Sequence, residues 1–188
     1  MGKPKLLLPW DRTSILGHQI HIWQRLRARH IAIVCAEADN AIRAELKRLR
    51  FPAKNQILNP QPGLGMFSSI RCAAQWQEWE SALTHWVIAL GDQPHLKRET
   101  LQTLLRFGAT HPDKVCQPLR LGRQRHPVIL PRRFFLRLAE TRAGTLKDFL
   151  KRISKDVTSC EIDDSGLDFD IDTPADYERA LSDFCETS

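Results

Sequence analysis

The apolar positions of this chain follow two patterns that alternate along it. Leu16, Ile20, Trp23 and Leu26 recur at three- and four-residue steps behind Thr13 and Ser14, either of which can cap a helix, and Arg25, Arg27 and Arg29 fall in its last turns. The spacing predicts a surface helix with one buried stripe. Ile31-Ala32-Ile33-Val34-Cys35-Ala36 then runs as a continuous, β-branched apolar segment, the pattern of a parallel strand covered on both faces. A second helix is predicted from about Asn40 to Leu49, and a short strand near Gln56 to Leu58. The stretch Asn59-Pro60-Gln61-Pro62-Gly63-Leu64-Gly65 holds two prolines and two glycines, which makes it a loop, and a helix resumes around Ser68. His85-Trp86-Val87-Ile88-Ala89-Leu90 reads as another buried strand, closed by Gly91-Asp92-Gln93-Pro94. Lys114 to Leu119 and Pro127 to Leu130 are predicted strands joined by the polar turn Arg120 to Gln124. Two short helices, about Arg132 to Glu140 and Thr145 to Ile153, lead to a strand near Val157 to Ile162 and a last helix from Pro174, whose ring suits the first helical position.

Strands alternating with helical patterns at this spacing indicate βαβ units and an α/β fold, a three-layer Rossmann-like sandwich on a mostly parallel sheet. Ligands of such sheets bind beyond the carboxyl ends of the strands, which is where Asp92 falls. The composition agrees with one soluble domain: 188 residues, 42% hydrophobic and 27% charged. The longest apolar runs are far shorter than the roughly 20 residues of a membrane span. The three leucines after Met1-Gly2-Lys3-Pro4-Lys5 are too few for a secretory signal, so a cytoplasmic protein without a membrane partner is expected. The five cysteines lie far apart without a C-x-x-C pair, which argues against a disulfide framework or zinc site. His18 and His21, three residues apart without a nearby carboxylate pattern, read as a partly exposed helix face.

Two acidic segments stand out, Gly91-Asp92-Gln93-Pro94 and Asp168-Phe169-Asp170-Ile171-Asp172-Thr173-Pro174-Ala175-Asp176. Carboxylates at strand ends far apart in sequence can converge on one hard cation, because Mg²⁺ takes one or two carboxylates plus substrate phosphates. Taken singly, Asp92 and Asp172 read better as turn and helix-cap residues than as metal ligands. Lys3, Lys5, Arg71 and Arg123 supply cations for phosphate, or are solvated surface charges. The net charge of +6 suits an anionic substrate, and no nucleic-acid partner is expected because the basic residues look dispersed.

Taken together, these segments resemble the MobA-like nucleotidyltransferase family, and most closely its molybdenum cofactor cytidylyltransferase branch. Met1-Gly2-Lys3-Pro4-Lys5-Leu6-Leu7-Leu8-Pro9-Trp10 is similar to the second half of the family's opening signature. Asn59-Pro60-Gln61-Pro62-Gly63-Leu64-Gly65-Met66-Phe67-Ser68-Ser69-Ile70-Arg71 resembles its base-recognition loop, Leu90-Gly91-Asp92-Gln93-Pro94 its metal loop, and Asp170-Ile171-Asp172-Thr173-Pro174-Ala175-Asp176 its second acidic motif. Gly122-Arg123-Gln124-Arg125-His126-Pro127 is a weaker match, with Arg125 where the family has glycine. The resemblance implies a single nucleotidyltransferase domain over residues 1–188, without the family's first strand and glycine-rich phosphate loop.

It further implies transfer of a nucleoside monophosphate from an NTP to a phosphorylated acceptor. Asp92 and Asp172 would hold Mg²⁺, with Asp170 assisting, and Lys5 would neutralise phosphate charge beside Asp92 in the catalytic centre. Asn59, Gly65, Met66, Ser69 and Arg71 would bind the nucleotide, and Arg123 and His126 the acceptor. The Lys-Leu-Leu-Leu-Pro-Trp and Gly-Met-Phe-Ser-Ser-Ile segments favour CTP, with molybdopterin as acceptor and a molybdenum hydroxylase or its chaperone as partner. A GTP- or sugar-phosphate-using transferase of the same fold, and an inactive cofactor-binding accessory protein, are the alternative readings.

Overall fold

A computed structural model describes residues 4–186; Lys3, one of the candidate phosphate cations, lies outside them. A hairpin of β1 (Pro9–Trp10) and β2 (Thr13–Ser14) leads into α1 (Ile15–Arg25), followed by β3 (Ile33–Ala36), α2 (Asn40–Arg48), β4 (Gln56–Asn59), α3 (Met66–Gln75) and β5 (His85–Ile88). The second half runs α4 (Arg98–Thr110), β6 (Val115–Arg120), β7 (Arg123–Gln124), β8 (Val128–Pro131), α5 (Arg132–Arg137), α6 (Leu146–Arg152), β9 (Val157–Glu161) and α7 (Pro174–Glu186). Among the described residues no helix is long and apolar enough to cross a membrane.

Local chemistry accounts for several of these starts. Ser14 caps α1, its hydroxyl oxygen accepting from the Gly17 amide at 3.1 Å while the hydroxyl donates to Glu45 at 2.5 Å. Asp39 and Thr145 cap α2 and α6 through the Ile42 and Asp148 amides, each at 3.0 Å. The helix α4 escaped the sequence reading. Its first turn follows Lys97, which supplies no side-chain cap, so no capping residue marks the start of its Leu101, Leu104 and Gly108 stripe.

In the main sheet β8 lies between β5 and β6 and runs antiparallel to both, while β6 pairs β9 in parallel. Strands β5, β6 and β9 therefore share one direction, and β3 pairs β4 in parallel. The sheet is mixed but mostly parallel. Side chains on β6 and β8 alternate between faces, as the two-residue period requires. Val115, Val128 and Leu130 pack with Phe67 and Ile70 of α3, Phe134 and Phe135 of α5 and Phe149 of α6. Cys116 and Ile129 pack instead with Leu104 of α4. Helices thus cover both faces, which makes three layers.

One expectation changes. The segments 31–36 and 85–90 read as strands covered on both faces, yet within β3 only Cys35 is buried, and within β5 only Trp86. Among the described residues β3 pairs only with β4 and β5 only with β8, so each keeps one edge without a strand partner.

Phe135 is 2% exposed and stacks on Trp86 with ring centroids 4.5 Å apart. Phe135→Ala should cost about 3–5 kcal/mol of unfolding free energy, whereas Leu136→Ala, one residue away at 45% exposure, should change it by less than about 0.5 kcal/mol. Urea denaturation of the two variants checks both values.

Candidate active site at the strand carboxyl ends

Three segments distant in sequence meet around one ammonium group. Lys5 opens a single helical turn, and its Nζ lies 2.6 Å from Asp92 and 2.9 Å from Asp172. Asp92 follows β5, and its backbone carbonyl accepts from the Ile171 amide at 3.4 Å, tying that strand end to the segment before α7. Gly91 eases this approach: a Cβ there would lie 3.1 Å from Leu6 Cδ2, so the Leu6 side chain would have to give way slightly. Burial alone would lower the Lys5 pKa, but hydrogen bonds and charge from Asp92 and Asp172 outweigh it and the pKa is raised.

The helix-cap alternative for Asp172 does not describe this site. At the start of α7 the capping contacts belong to Thr173 and Asp176, whose Oδ2 accepts from the Thr173 amide at 2.8 Å and hydroxyl at 2.7 Å. The Asp172 carboxylate is left to face Lys5. Asp170 does not reach Lys5; its Oδ1 accepts from Gln93 Nε2 at 2.8 Å. Among the described residues no group of three or more His, Cys, Asp or Glu is arranged to hold a metal. The two carboxylates that converge on the Lys5 ammonium are nevertheless hard oxygen donors, aimed at a point a cation already occupies, and that donor set fits Mg²⁺ or Mn²⁺ completed by phosphate and water.

The loop after β4 is built on Asn59. This side chain is 1% exposed; its Nδ2 donates to Ser68 Oγ at 2.8 Å and Ser69 Oγ at 2.9 Å, and its Oδ1 accepts from the Gln61 amide at 2.9 Å. These bonds engage both ends of its amide, so Asn59 shapes the loop that carries Gly65 and Met66. Gly65 has φ +82° and ψ −179°, a region essentially reserved for glycine, and nothing lies within 4 Å of where its Cβ would stand. Beside it Met66 and Leu64 are exposed. Arg71 is exposed and its Nη2 lies 3.5 Å from the Ala139 carbonyl.

His126 lies close to the carboxylates. Its Nδ1 is 3.5 Å from the Ile88 carbonyl, and burial lowers its pKa although that carbonyl and the charges of Asp170 and Asp92 pull the other way. Arg123 is exposed on β7. Sequence reading missed a neighbouring group: Arg120 and Arg125 both pair with Asp168, whose pKa is lowered because they outweigh its burial. Arg125, which breaks the family pattern, is therefore half of an ion-pair cluster. His95 was also missed, because a lone histidine after Asp-Gln-Pro carries no motif.

One further expectation changes. The net positive charge does not belong to this site. The eight Arg and Lys residues between 132 and 155 are all exposed, with only Glu140 and Asp148 against them. Arg132 and Arg133 open α5 at the sheet end where Pro131 pairs with His85, opposite Asp92. A cavity of about 290 Å³ lies elsewhere too, lined by residues including Ile20, His30, Phe51 and Glu80, but not by Lys5, Asp92 or Asp172.

The chain is similar to known proteins over its whole length. The family described as MobA-like NTP transferase domain matches residues 1–157. Molybdenum cofactor cytidylyltransferase of Escherichia coli is 24% identical over 189 residues, covering 99% of this chain and 91% of that protein. Among solved structures, the Mycobacterium sp. strain JC1 homologue of the Mycobacterium tuberculosis protein Rv0371c is 25% identical, with a TM-score of 0.75, covering all of this chain and 91% of that one. Rv0371c itself, solved in complex with manganese, is 25% identical with a TM-score of 0.68, covering 96% of this chain and 93% of that one.

His18, His95 and His126 all have lowered pKa values, in each case chiefly through burial. The unfolded chain takes up these protons near pH 6.5, whereas the folded chain resists them until lower pH. Unfolding free energy should therefore fall as pH drops below about 6.5, and His126→Gln should flatten that slope; urea midpoints at pH 7.5 and 5.5 measure it.

Proposed function

The chain belongs to the MobA-like NTP transferase family, a nucleotidyltransferase family, and from that premise we propose that it transfers CMP from CTP to a phosphorylated acceptor, molybdopterin, with Mg²⁺. The observation that carries this reading is the convergence of Asp92 and Asp172 on the Lys5 ammonium, at 2.6 and 2.9 Å. Asp92 and Asp172 would hold the divalent ion, which would supply neutralisation of charge on the α-phosphate. The acceptor phosphate oxygen forms a bond to the α-phosphorus as the bond to the β-phosphate oxygen breaks, and pyrophosphate leaves. No protein nucleophile is needed: positioning and cations suffice for phosphoryl chemistry of this kind.

Lys5 has two successive partners in this scheme. Its raised pKa keeps it protonated near neutrality, so it can move from the carboxylates to the phosphate oxygens as a full positive charge. The open backbone at Gly65 and the exposed Met66 receive the base. Ser69 and Arg71 lie on the same helix as Met66, and we assign them to the sugar and phosphates of the nucleotide. Asn59 holds the loop. The acceptor enters on the side of His126, where Asp170 is held by Gln93, and exposed Arg123 offers a charge to its phosphate. The name of the Escherichia coli relative favours cytidylyl transfer to molybdenum cofactor; on our reading a molybdenum hydroxylase or its chaperone would receive the product. The manganese complex of the Mycobacterium tuberculosis relative favours divalent-cation chemistry.

The test is pyrophosphate release from each of the four NTPs with molybdopterin and Mg²⁺. CTP should be used in preference to GTP, and Asp92→Ala should lower kcat on the order of 10²–10³-fold. Preference for GTP would overturn the choice of base, and full turnover by Asp92→Ala would remove this carboxylate from the reaction.

A further inference from the structure

Asp92 and Asp172 come from segments 80 positions apart, and their alignment depends on how the loop after β5 is joined to the loop before α7. The Ile171 amide reaches the Asp92 carbonyl at a long 3.4 Å, and Gln93 holds Asp170. A third link involves neither acidic side chain. His95 Nε2 lies 3.1 Å from the Gly166 carbonyl and 3.0 Å from the Phe169 carbonyl. Both partners are acceptors only, so Nε2 carries the proton and donates to the two carbonyls at once.

The surroundings leave this ring little freedom. Its edge meets the Phe169 ring with centroids 5.1 Å apart, and its Nδ1 is buried without a partner among the described residues. A Cβ on Gly166 would lie 3.2 Å from His95 Cδ2, so glycine there permits the close carbonyl approach. The far side of the turn is anchored as well. Asp164, 4% exposed, accepts from Thr100 of α4 at 2.6 Å and from the Gly166 amide at 3.0 Å. A rigid path thus runs from α4 through Asp164 and Gly166 to His95, three residues beyond Asp92.

We propose that His95 is a positioning residue that sets the spacing of Asp92 and Asp172, so that both carboxylates reach one divalent ion after Lys5 has left them. The inference rests on the metal reading of that carboxylate pair. Lys5 can hold the two loops together only while it remains between the acids, whereas the bonds from His95 are independent of what lies there. A residue supporting metal ligands in this way typically changes metal affinity by about 10–100-fold when replaced.

The experiment measures Mn²⁺ binding to the full-length protein by the electron paramagnetic resonance signal of the free ion, with no turnover required. His95→Phe keeps the ring and removes the donor, and its Mn²⁺ dissociation constant should rise about 10–100-fold. His95→Gln, whose side-chain amide can donate again, should recover most of that loss. Phe149→Ala, a destabilising core change in α6 on the face of the sheet away from α4, should leave Mn²⁺ affinity unaltered, which separates positioning from general loss of stability. Unchanged affinity in His95→Phe, together with loss of binding in Asp92→Ala, would overturn the proposal while sparing the metal site. Unchanged affinity in Asp92→Ala would overturn the metal reading, and this inference with it. Should His95→Phe not fold, Gly166→Ala presses a Cβ against the same ring: a threefold or greater weakening supports the proposal and unchanged affinity overturns it.

Discussion

The ammonium of Lys5 between two carboxylates is the contact on which the arrangement of this end of the molecule depends. Two bare carboxylates about 4 Å apart repel by about 4 kcal/mol at the effective dielectric of a protein surface, and the backbone bond between Ile171 and Asp92 brings no charge to neutralise them. Lys5 does, and in doing so it fixes the Lys5–Leu7 turn against Gly91 and Leu6 against the core. The cost of moving the lysine is modest, because Asp172 is largely exposed and water can take over part of its solvation. A group that is firmly charged and only half-buried is well placed to exchange one set of oxygens for another.

The rest of the fold supplies a platform for that contact. Strand β5 delivers Asp92, and β8 holds β5 on one side while presenting Val128 and Leu130 to one helical layer and Ile129 to the other. Helix α4 has two duties, since Leu104 packs on the sheet while Thr100 anchors Asp164. The acidic loop before α7 is therefore attached to the core by hydrogen bonds rather than by apolar packing alone. Ile171, fully buried between Trp10 and Ile15, supplies the apolar part of that attachment.

Much of this was legible in the sequence, and the exceptions have physical causes. Continuous apolar runs marked the strands, and Ser14 and Asp39 marked helix starts because capping leaves a residue-type signature. Helix α4 was missed because Lys97 leaves no such signature. Gly-Asp-Gln-Pro identified the carboxylate because the turn and the acid are adjacent in sequence. The hydrogen bonds of Asn59 to Ser68, Ser69 and Gln61 could not be read from its motif, since a motif records that an amide is needed, not which groups it meets. His95 and the Arg120, Arg125 and Asp168 cluster could not be read, because their partners lie 43 to 74 residues away and no local pattern records such pairings.

Charge shows the same gap between sequence and space. A formal net charge of +6 invites the idea of a generally phosphate-attracting protein. The exposed basic residues from Arg132 to Lys155 instead coat α5 and α6, and Arg132, Arg133 and Arg137 lie over the rings of Trp86, Phe134 and Phe149. The paired residues of β5 alone, at ~3.3 Å per step, separate the start of α5 from the carboxylate end by about 10 Å, beyond the screening length of roughly 8 Å at physiological ionic strength. That surplus at the far end contributes little to capturing a triphosphate. In the proposed reaction the work falls to a few local cations, and a lysine already seated between two acids has to be displaced before it can serve, which makes the spacing of those acids as important as their charge.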